Sequence, residues 1–365
     1  MQKRTLSGLC SKKLLTGVCF KMSSVSIITT FYNSENTIQE SIASIKSQTH
    51  QDFEYILIDD GSDDRSPEYV NQLLDQRMTL IQPGRIGRAA ALNLGLEKSK
   101  SDYIAILDAD DIALPDRLSH QIRIFDSNHD ISLLSSDALL IDLAGKVIGK
   151  KTYPTDHKSL QGCLYNLSPF PHSSVMFQRK KIVNFGGYLE RCEKSIDFNM
   201  YLELIDSGGM IASIPEPLIK LRVYSSSWGQ DDIKSLQIYY GILGLINHHI
   251  FQRHGVGFLR GDDTEWQLVK NVYDQWFGSS SFLHQSNAKK SYAKFLESFK
   301  QKEIKESLQA FNDAFRTDPL FWSHRGIHFS YPEDILAFMS LLRVKLLGTK
   351  TSKNLNLNSY EFKAD

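Results

Sequence analysis

The chain has 365 residues, with 42 basic and 42 acidic side chains and a formal net charge of zero. A balanced charge provides no overall attraction to nucleic acid, so we expect no nucleic-acid partner. The length is sufficient for one large domain with an appendage. The four cysteines show no metal-binding or paired spacing, which predicts free thiols in a reducing compartment.

The first 23 residues carry five cations and no acid, and their apolar runs are too short for a secretory signal or a membrane span. We expect an unstructured basic extension at 1–23, and either Met1 or Met22 could be the start. No other stretch is long and apolar enough to cross a bilayer. The sequence therefore predicts a cytoplasmic protein, with peripheral contact at the cytoplasmic face of a membrane left open.

From residue 25, short β-branched segments alternate with amphipathic helical segments. The predicted strands lie at 25–30, 53–58, 78–81 and 103–107, and the predicted helices at 37–48, 67–76 and 88–97. This alternation indicates a parallel, doubly wound α/β sheet with right-handed crossovers. Further on, the pattern predicts a helix opening at Pro115 and Asp116, strands at 131–135, 139–141 and 145–150, and a helix at 159–165.

Acidic side chains follow two of these strands. Asp59 and Asp60 come after the second strand, and Asp108, Asp110 and Asp111 come after the fourth. In open α/β sheets the ligand crevice lies outside the carboxyl ends of the strands. Asp108 and Asp110, two apart on extended backbone, would face one space and suit Mg²⁺ or Mn²⁺ together with substrate phosphates. A solvated acidic turn is the alternative interpretation.

The segment before the third helix is rich in glycine and arginine. Gly84 and Gly87 allow close backbone approach, and Arg85 and Arg88 are cations beside a helix N-terminus, which attracts phosphate. Neither GxGxxG nor a P-loop motif is present. The residues therefore predict an acid-rich crevice for a metal ion and a nucleoside diphosphate.

Five segments resemble, in order and spacing, the motifs of family 2 glycosyltransferases of the GT-A fold. They are TTFYN at 29–33, IDDGSDD at 58–64, GRAAALNLG at 87–95, LDADD at 107–111 and PDRL at 115–118. The resemblance implies a Rossmann-like, mostly parallel catalytic domain at 24–228. It also implies inverting transfer of a hexosyl group from a nucleotide-diphosphate sugar, with a UDP-sugar favoured.

The resemblance further implies roles for individual residues. Asp110 would ligate the metal, Mg²⁺ or Mn²⁺. Asp60 is an additional candidate for the nucleotide contact, and Asp111 is an additional candidate site residue. A type I turn with capping acids is the alternative for Asp59 and Asp60. The implied nucleotide-sugar-binding residues are Thr30, Tyr32, Asp59, Arg88, Asp108, Ala109 and Asp110.

Asp197 is the candidate general base, because the acceptor hydroxyl must lose its proton as it attacks. It opens a predicted helix, where an acid that interacts with the helix dipole is the alternative. Glu193 is the second candidate. Family members commonly have glutamate where this chain has Ile196, which brings the acceptor contacts into question.

Three more positions follow from the resemblance. His172, before a predicted strand, is interpreted either as a substrate contact or as a structural residue. Tyr224 stands where many relatives have a histidine near the metal, and tyrosine is a poor ligand for Mg²⁺. Arg222 is interpreted either as a phosphate contact or as a cation on an edge strand.

After residue 229 large apolar residues recur at the spacing of amphipathic helices. This pattern predicts a helical region at 229–350, followed by a polar, unstructured tail at 351–365. The segment at 304–319 resembles one tetratricopeptide helix. The basic helix at 335–347 would either pack on the protein or dock on a membrane that holds lipid-linked acceptors. The predicted helices lie at 233–251, 264–277, 288–299, 304–319 and 335–347.

The sequence thus predicts an inverting glycosyltransferase acting on a glycan or lipid-linked acceptor in polysaccharide, glycolipid or glycoprotein synthesis. Two other classes stay open. A catalytically silent carbohydrate-binding or scaffold protein is suggested by Ile196 and Tyr224. A nucleotidyltransferase would also use paired acids on an α/β sheet.

Overall fold

The computed structural model describes residues 24–165 and 170–224, together with single positions between 237 and 267. The described strands are β1 (Val25–Phe31), β2 (Phe53–Asp59), β3 (Met78–Ile81), β4 (Tyr103–Ile106), β5 (Ile112–Ala113), β6 (Ile131–Ile141), β7 (Val147–Lys151), β8 (Met176–Gln178) and β9 (Met210–Arg222). The described helices are α1 (Ile38–Lys46), α2 (Ser66–Leu73), α3 (Arg88–Lys98), α4 (Arg117–Ser127), α5 (His157–Tyr165), α6 (Arg179–Asn184) and α7 (Ile196–Asp206).

The strands form one mixed sheet in the order β3-β2-β1-β4-β8-β6-β9-β5, and β7 pairs with β6. The first four strands in this order are parallel to one another. β8 is antiparallel to both β4 and β6, whereas β6 and β9 are parallel. The predicted α/β architecture with a mostly parallel sheet is confirmed.

Alternate residues of the central strands pack on opposite faces of the sheet. Ile28 in β1 belongs to the core cluster that contains Leu92 of α3, while the preceding Ile27 belongs to the cluster that contains Ile42 of α1. Each fully buried side chain of this size contributes about 1.5–3 kcal/mol. Both faces are covered by helices, so the carboxyl ends of the parallel strands are left to form a binding site.

The strands predicted at 131–135 and 139–141 are one continuous strand, β6, so the predicted break was wrong. The polar pair at the predicted break, Ser136 and Asp137, is buried. Asp137 Oδ1 accepts the backbone N–H of Tyr153 at 3.0 Å, and Lys150 Nζ lies 3.0 Å from Asp137 Oδ2. These partners compensate for burying the carboxylate inside a strand.

The described positions from 237 to 252 are helical, in agreement with the helix predicted at 233–251. Tyr240, Leu243 and Leu245 from this segment are buried in the same core cluster as α7. Most of the helix predicted at 264–277 lies outside the described residues. So do the helices predicted at 288–299, 304–319 and 335–347, the extension 1–23 and the tail 351–365. In the part of the chain that the structure describes, no helix is both long and apolar enough for a bilayer span.

Candidate functional site

A cavity of about 1080 Å³ opens at the carboxyl ends of β1, β2 and β4. Ligands of open α/β sheets bind at this edge. Eight residues proposed from the sequence line it, and they are Thr30, Tyr32, Asp60, Arg88, Asp108, Ala109, Asp110 and Glu193. Five others lie outside the lining, and they are Asp59, Asp111, His172, Asp197 and Arg222.

Asp108 belongs to the acid loop, residues 107–111, which follows β4. Its backbone N–H donates to Ser173 Oγ at 3.0 Å, and its Oδ1 accepts from Arg88 Nη2 at 2.7 Å. Burial alone would raise the pKa of Asp108, but the charge of Arg88 and the contact with His172 outweigh it and lower the pKa. Asp108 is therefore an ionised carboxylate whose charge is balanced by Arg88.

Asp110 has a different environment. Burial and the charge of Asp108 both raise its pKa, and Tyr224 opposes them by hydrogen bonding to its carboxylate. Burial, and then Asp110, raise the pKa of Tyr224 to about 12, so the phenol is the donor. A cation placed at Asp110 would relieve its repulsion with Asp108.

The acid loop fits a hard divalent cation that receives most of its ligands from substrate. Among the described residues, no group of three or more histidine, cysteine or acidic side chains is arranged to hold a metal ion. Mg²⁺ and Mn²⁺ bind through one or two carboxylates and complete their shells with phosphate and water. Asp110 and Asp108 provide oxygen donors of this kind at the cavity.

Asp111, the third acid, contributes to the fold rather than to the cavity. Its Oδ2 accepts a short hydrogen bond from Ser173 Oγ, and its Oδ1 accepts the backbone N–H of Arg222 at 2.8 Å. Burial, together with the charges of Asp110 and Asp108, raises its pKa well above the usual value. The buried Asp111 side chain therefore links the acid loop by hydrogen bonds to the 3₁₀ turn that contains Ser173 and to the end of β9.

The opposite side of the cavity is formed by the loops after β1 and β3. Asp60 accepts the backbone N–H groups of Ile86 and Gly87 at 2.8 and 2.7 Å, and it pairs with Arg85 Nη1 at 3.3 Å. The Arg85 guanidinium lies 3.5 Å from the centroid of the Tyr32 ring. Asp60 already accepts the Gly87 N–H, so this backbone group is not available to a ligand at the start of α3. The Arg88 side chain is the positive group that lines the cavity there.

Asp59 holds its own turn. Its Oδ1 accepts the backbone N–H of Ser62 at 2.8 Å, and its Oδ2 accepts from Gln82 Nε2 at 3.1 Å. This is the capped turn that was the alternative for Asp59. Of the two acids after β2, Asp60 is therefore the one that lines the cavity.

His172 lies beneath Arg88, in a short 3₁₀ turn at His172–Ser174 that precedes β8. The Nδ1 atom lies 3.3 Å from Arg88 Nη2 and 3.7 Å from Asp108 Oδ1, and Nε2 lies 2.9 Å from the Tyr188 hydroxyl. His172 is buried and supports Arg88.

Asp197 lies in the first turn of α7 and is half-buried. The charge of Asp108 is the main reason why the pKa of Arg88 is raised, and Asp197 adds to that effect from nearby. The preceding Ile196 is 6% exposed and belongs to the core. Glu193 lines the cavity on the same side.

Arg222 is not on an edge strand, as one interpretation assumed, because β9 runs between β6 and β5. Its side chain is 2% exposed, and Nη2 donates to Glu40 Oε2 at 2.6 Å. Its Nε and Nη1 atoms donate to backbone carbonyls. The guanidinium therefore binds protein partners, whereas the other interpretation was a phosphate contact.

Sequence reasoning missed four residues that support the site, namely Glu40, Ser173, Tyr188 and Glu190. Glu40 meets Arg222 across 182 positions of the chain, and Ser173 meets Asp111 across 62. Such pairs leave no local pattern. Glu190 lines the cavity and accepts from Asn93 Nδ2 at 2.9 Å, and Asn93 lies within the recognised segment 87–95.

Residues 26–186 match the family model described as glycosyl transferase family 2. The chain is 32% identical to an uncharacterised glycosyltransferase of Methanocaldococcus jannaschii, over 59% of this chain and 76% of the relative. It is 30% identical to the O-antigen biosynthesis glycosyltransferase WbnJ of Escherichia coli, over 56% and 81%. The amylovoran biosynthesis glycosyltransferase AmsE of Erwinia amylovora is 28% identical, over 68% and 92%.

The fold has a solved counterpart. The crystal structure of S. aureus TarS 1-349 in complex with UDP-GlcNAc aligns with a TM-score of 0.51 and 16% identity, over 84% of this chain and 93% of that chain. This likeness concerns the fold alone. The family model and the relatives confirm the resemblance seen in the acid loop and its companion segments, and the chain therefore belongs to glycosyltransferase family 2, a family of transferase enzymes.

Proposed function

We propose that the enzyme transfers a sugar from a nucleotide-diphosphate donor, with a UDP-sugar as the first candidate, to an acceptor hydroxyl with inversion. The observation that carries the proposal is the cavity in which Asp108, Asp110 and Arg88 meet at the carboxyl ends of the parallel strands. The solved complex of TarS with UDP-GlcNAc, which has a similar fold, supports this donor class. The names of AmsE and WbnJ support a role in polysaccharide synthesis, and the acceptor we propose for it is a glycan or a lipid-linked sugar.

The donor would extend along the cavity from Tyr32 to the acid loop. Tyr32 and the stacked Arg85 form a flat surface for the base, and Arg88 places a positive charge beside the phosphates. Asp110, with Asp108 beside it, would hold Mg²⁺ or Mn²⁺. When bound, this ion would offset the charge that grows on the departing diphosphate.

Asp197 would be the general base. As the acceptor oxygen bonds to the anomeric carbon, the bond from that carbon to the diphosphate breaks and the hydroxyl proton passes to Asp197. One displacement of this kind inverts the anomeric centre. Asp197 lies in the first turn of α7, next to Ile196, whose side chain is buried in the core.

A thermal-shift panel of UDP-, GDP-, TDP- and CMP-sugars, each with and without Mn²⁺, tests the donor site. A ligand that binds only the folded state adds about 2.7 kcal/mol at a hundredfold excess over Kd. We expect one nucleotide to give a metal-dependent shift that Asp110→Asn abolishes. Asp130→Asn, at an exposed acid, is the matched control and keeps the shift. The absence of a shift with every donor would contradict the proposal.

A further inference from the structure

The end of β9 is bonded to the acid loop at two consecutive residues. The Arg222 backbone N–H donates to Asp111 Oδ1 at 2.8 Å, and Arg222 Nε donates to the carbonyl of Asp110 at 2.9 Å. Two residues later, Tyr224 hydrogen-bonds the Asp110 carboxylate. The acid loop lies beyond the end of β4, where the hydrogen bonds between β4 and its neighbouring strands have ended. The bonds from β9 hold the loop instead.

The rest of the Arg222 guanidinium connects the loop to two further elements. Nη1 donates to the carbonyls of Asp142 and Leu143, at 3.0 and 2.9 Å, in the turn after β6. Nη2 pairs with Glu40 of α1, which balances the buried charge. The donors of a guanidinium have fixed directions in one plane, so their acceptors are held in fixed relative positions.

Such a clamp has a physical purpose at this position. Asp108 and Asp110 line the cavity two residues apart, and two carboxylates this close repel each other. Repulsion favours separation of the two carboxylates unless the backbone between them is held. The contacts of Arg222 hold the backbone from the side of the loop that faces away from the cavity.

We propose that Arg222 is a positioning residue that holds the Asp110 carboxylate toward the cavity, where it can receive a divalent cation and a diphosphate, without itself contacting the donor. The clamp acts through the Asp110 carbonyl and the Asp111 carboxylate, and Glu40 orients its guanidinium. This inference rests on the proposed donor site.

The first test variant is Arg222→Lys, which keeps the positive charge but removes the planar set of guanidinium donors. The second is Glu40→Gln, which keeps Arg222 but removes the negative charge paired with it. Arg77→Lys is the matched control, because Arg77 also bonds through its guanidinium, to Asp75 and Gln51, before the start of β3. Hydrogen exchange of the peptide 107–116 without ligand reports on the loop. Calorimetric titration with UDP in Mn²⁺ reports on the site.

For Arg222→Lys we expect faster exchange of this peptide and about 10- to 100-fold weaker UDP binding in Mn²⁺, the usual range for residues that orient metal ligands. Glu40→Gln changes both in the same direction by less, and Arg77→Lys changes neither. Unchanged exchange, or faster exchange with unchanged affinity, would overturn the proposal. If Arg222→Lys does not fold, Glu40→Gln decides by the same criteria. If the wild type binds neither UDP nor any other nucleotide of the donor panel, the donor site is wrong, and the exchange result alone decides whether Arg222 holds the loop.

Discussion

Asp108 and Asp110 show how two acids in one loop acquire different properties. Arg88 balances Asp108 and lowers its pKa, whereas burial and Asp108 raise the pKa of Asp110. A raised carboxyl pKa means that the folded state favours the protonated form, so the stability contributed by this group is lost as the pH rises through that pKa. The ionised Asp110 carboxylate therefore lowers the stability of the folded protein when no metal is bound.

Replacing Asp110 with the neutral, isosteric asparagine should therefore raise the free energy of unfolding at pH 7.5 without metal. The same change should weaken Mn²⁺-dependent UDP binding by more than about 100-fold, since even residues behind the metal ligands change affinity that much. Urea denaturation and calorimetry measure the two effects. A less stable Asp110→Asn, or one that keeps its affinity, would refute this account.

Asp197→Asn should lower the turnover of donor by about 10²- to 10⁴-fold, the usual contribution of a general base. Binding of UDP should persist, because the proposed donor contacts do not include Asp197. The matched control is Glu68→Gln, at an exposed acid in the first turn of α2. A coupled assay that measures UDP release reports the turnover, and calorimetry reports UDP binding. If Asp197→Asn keeps the turnover of the wild type, Asp197 is not the base.

At the level of single residues, the sequence was sufficient to predict eight of the residues that line the cavity. Acids after two parallel strands indicated Asp60, Asp108 and Asp110, because strand ends converge on one edge. It could not separate Asp110 from Asp111, since that difference depends on Ser173 and on β9, which are distant along the chain.

At the scale of elements, α3 packs unusually close to the sheet. A Cβ built on Gly95 would lie 2.7 Å from Ile28 Cγ2 and 3.0 Å from Ile58 Cδ1. This close approach carries the N-terminus of α3, with Arg88, to the cavity. The glycine is therefore required by the packing of the helix on β1 and β2.

Gly95→Ala should lower the free energy of unfolding by about 1–3 kcal/mol, the usual cost of overpacking a core. Gly162 in α5 provides the opposite case, because a Cβ there meets nothing within 4 Å. Gly162→Ala should stabilise by about 0.5–1 kcal/mol through helix propensity. Guanidinium denaturation of both variants checks the pair, and equal shifts of either sign would be inconsistent with this packing.

Element types were predictable wherever periodicity was regular, as in β1 to β4 and the helices between them. The prediction failed at β6, where two strands separated at 136–138 were expected and one continuous strand is found. The 3₁₀ turn at His172–Ser174, which precedes β8, was also not predicted. In both places buried polar side chains find partners that are remote in sequence, and local pattern does not contain that information.

At the scale of the whole molecule, chain beyond the sheet contributes to its core. Leu243 is fully buried, and it shares a core cluster with Leu202 of α7 and with Leu92 of α3. The predicted boundary at 228 therefore lies before residues that pack with the catalytic domain. These residues should unfold together with it.

Leu243→Ala should lower the free energy of unfolding by about 2–5 kcal/mol, as for other buried leucines. The loss of stability should lower the midpoint of the same unfolding transition in which α7 unfolds. Thermal unfolding followed by circular dichroism and by UDP binding tests this coupling. Two separate transitions, with the donor site unaffected, would show that the segment is independent.

The most direct test of an inverting glycosyltransferase is the anomeric configuration of its first product. Proton NMR of the wild type with an α-linked UDP-sugar and Mn²⁺ should show the β-anomer of the released or transferred sugar before mutarotation. Asp110→Asn and Asp197→Asn should show little turnover. An α-anomer as the first product would contradict the single displacement, and no sugar release by the wild type with any donor would favour the silent carbohydrate-binding alternative.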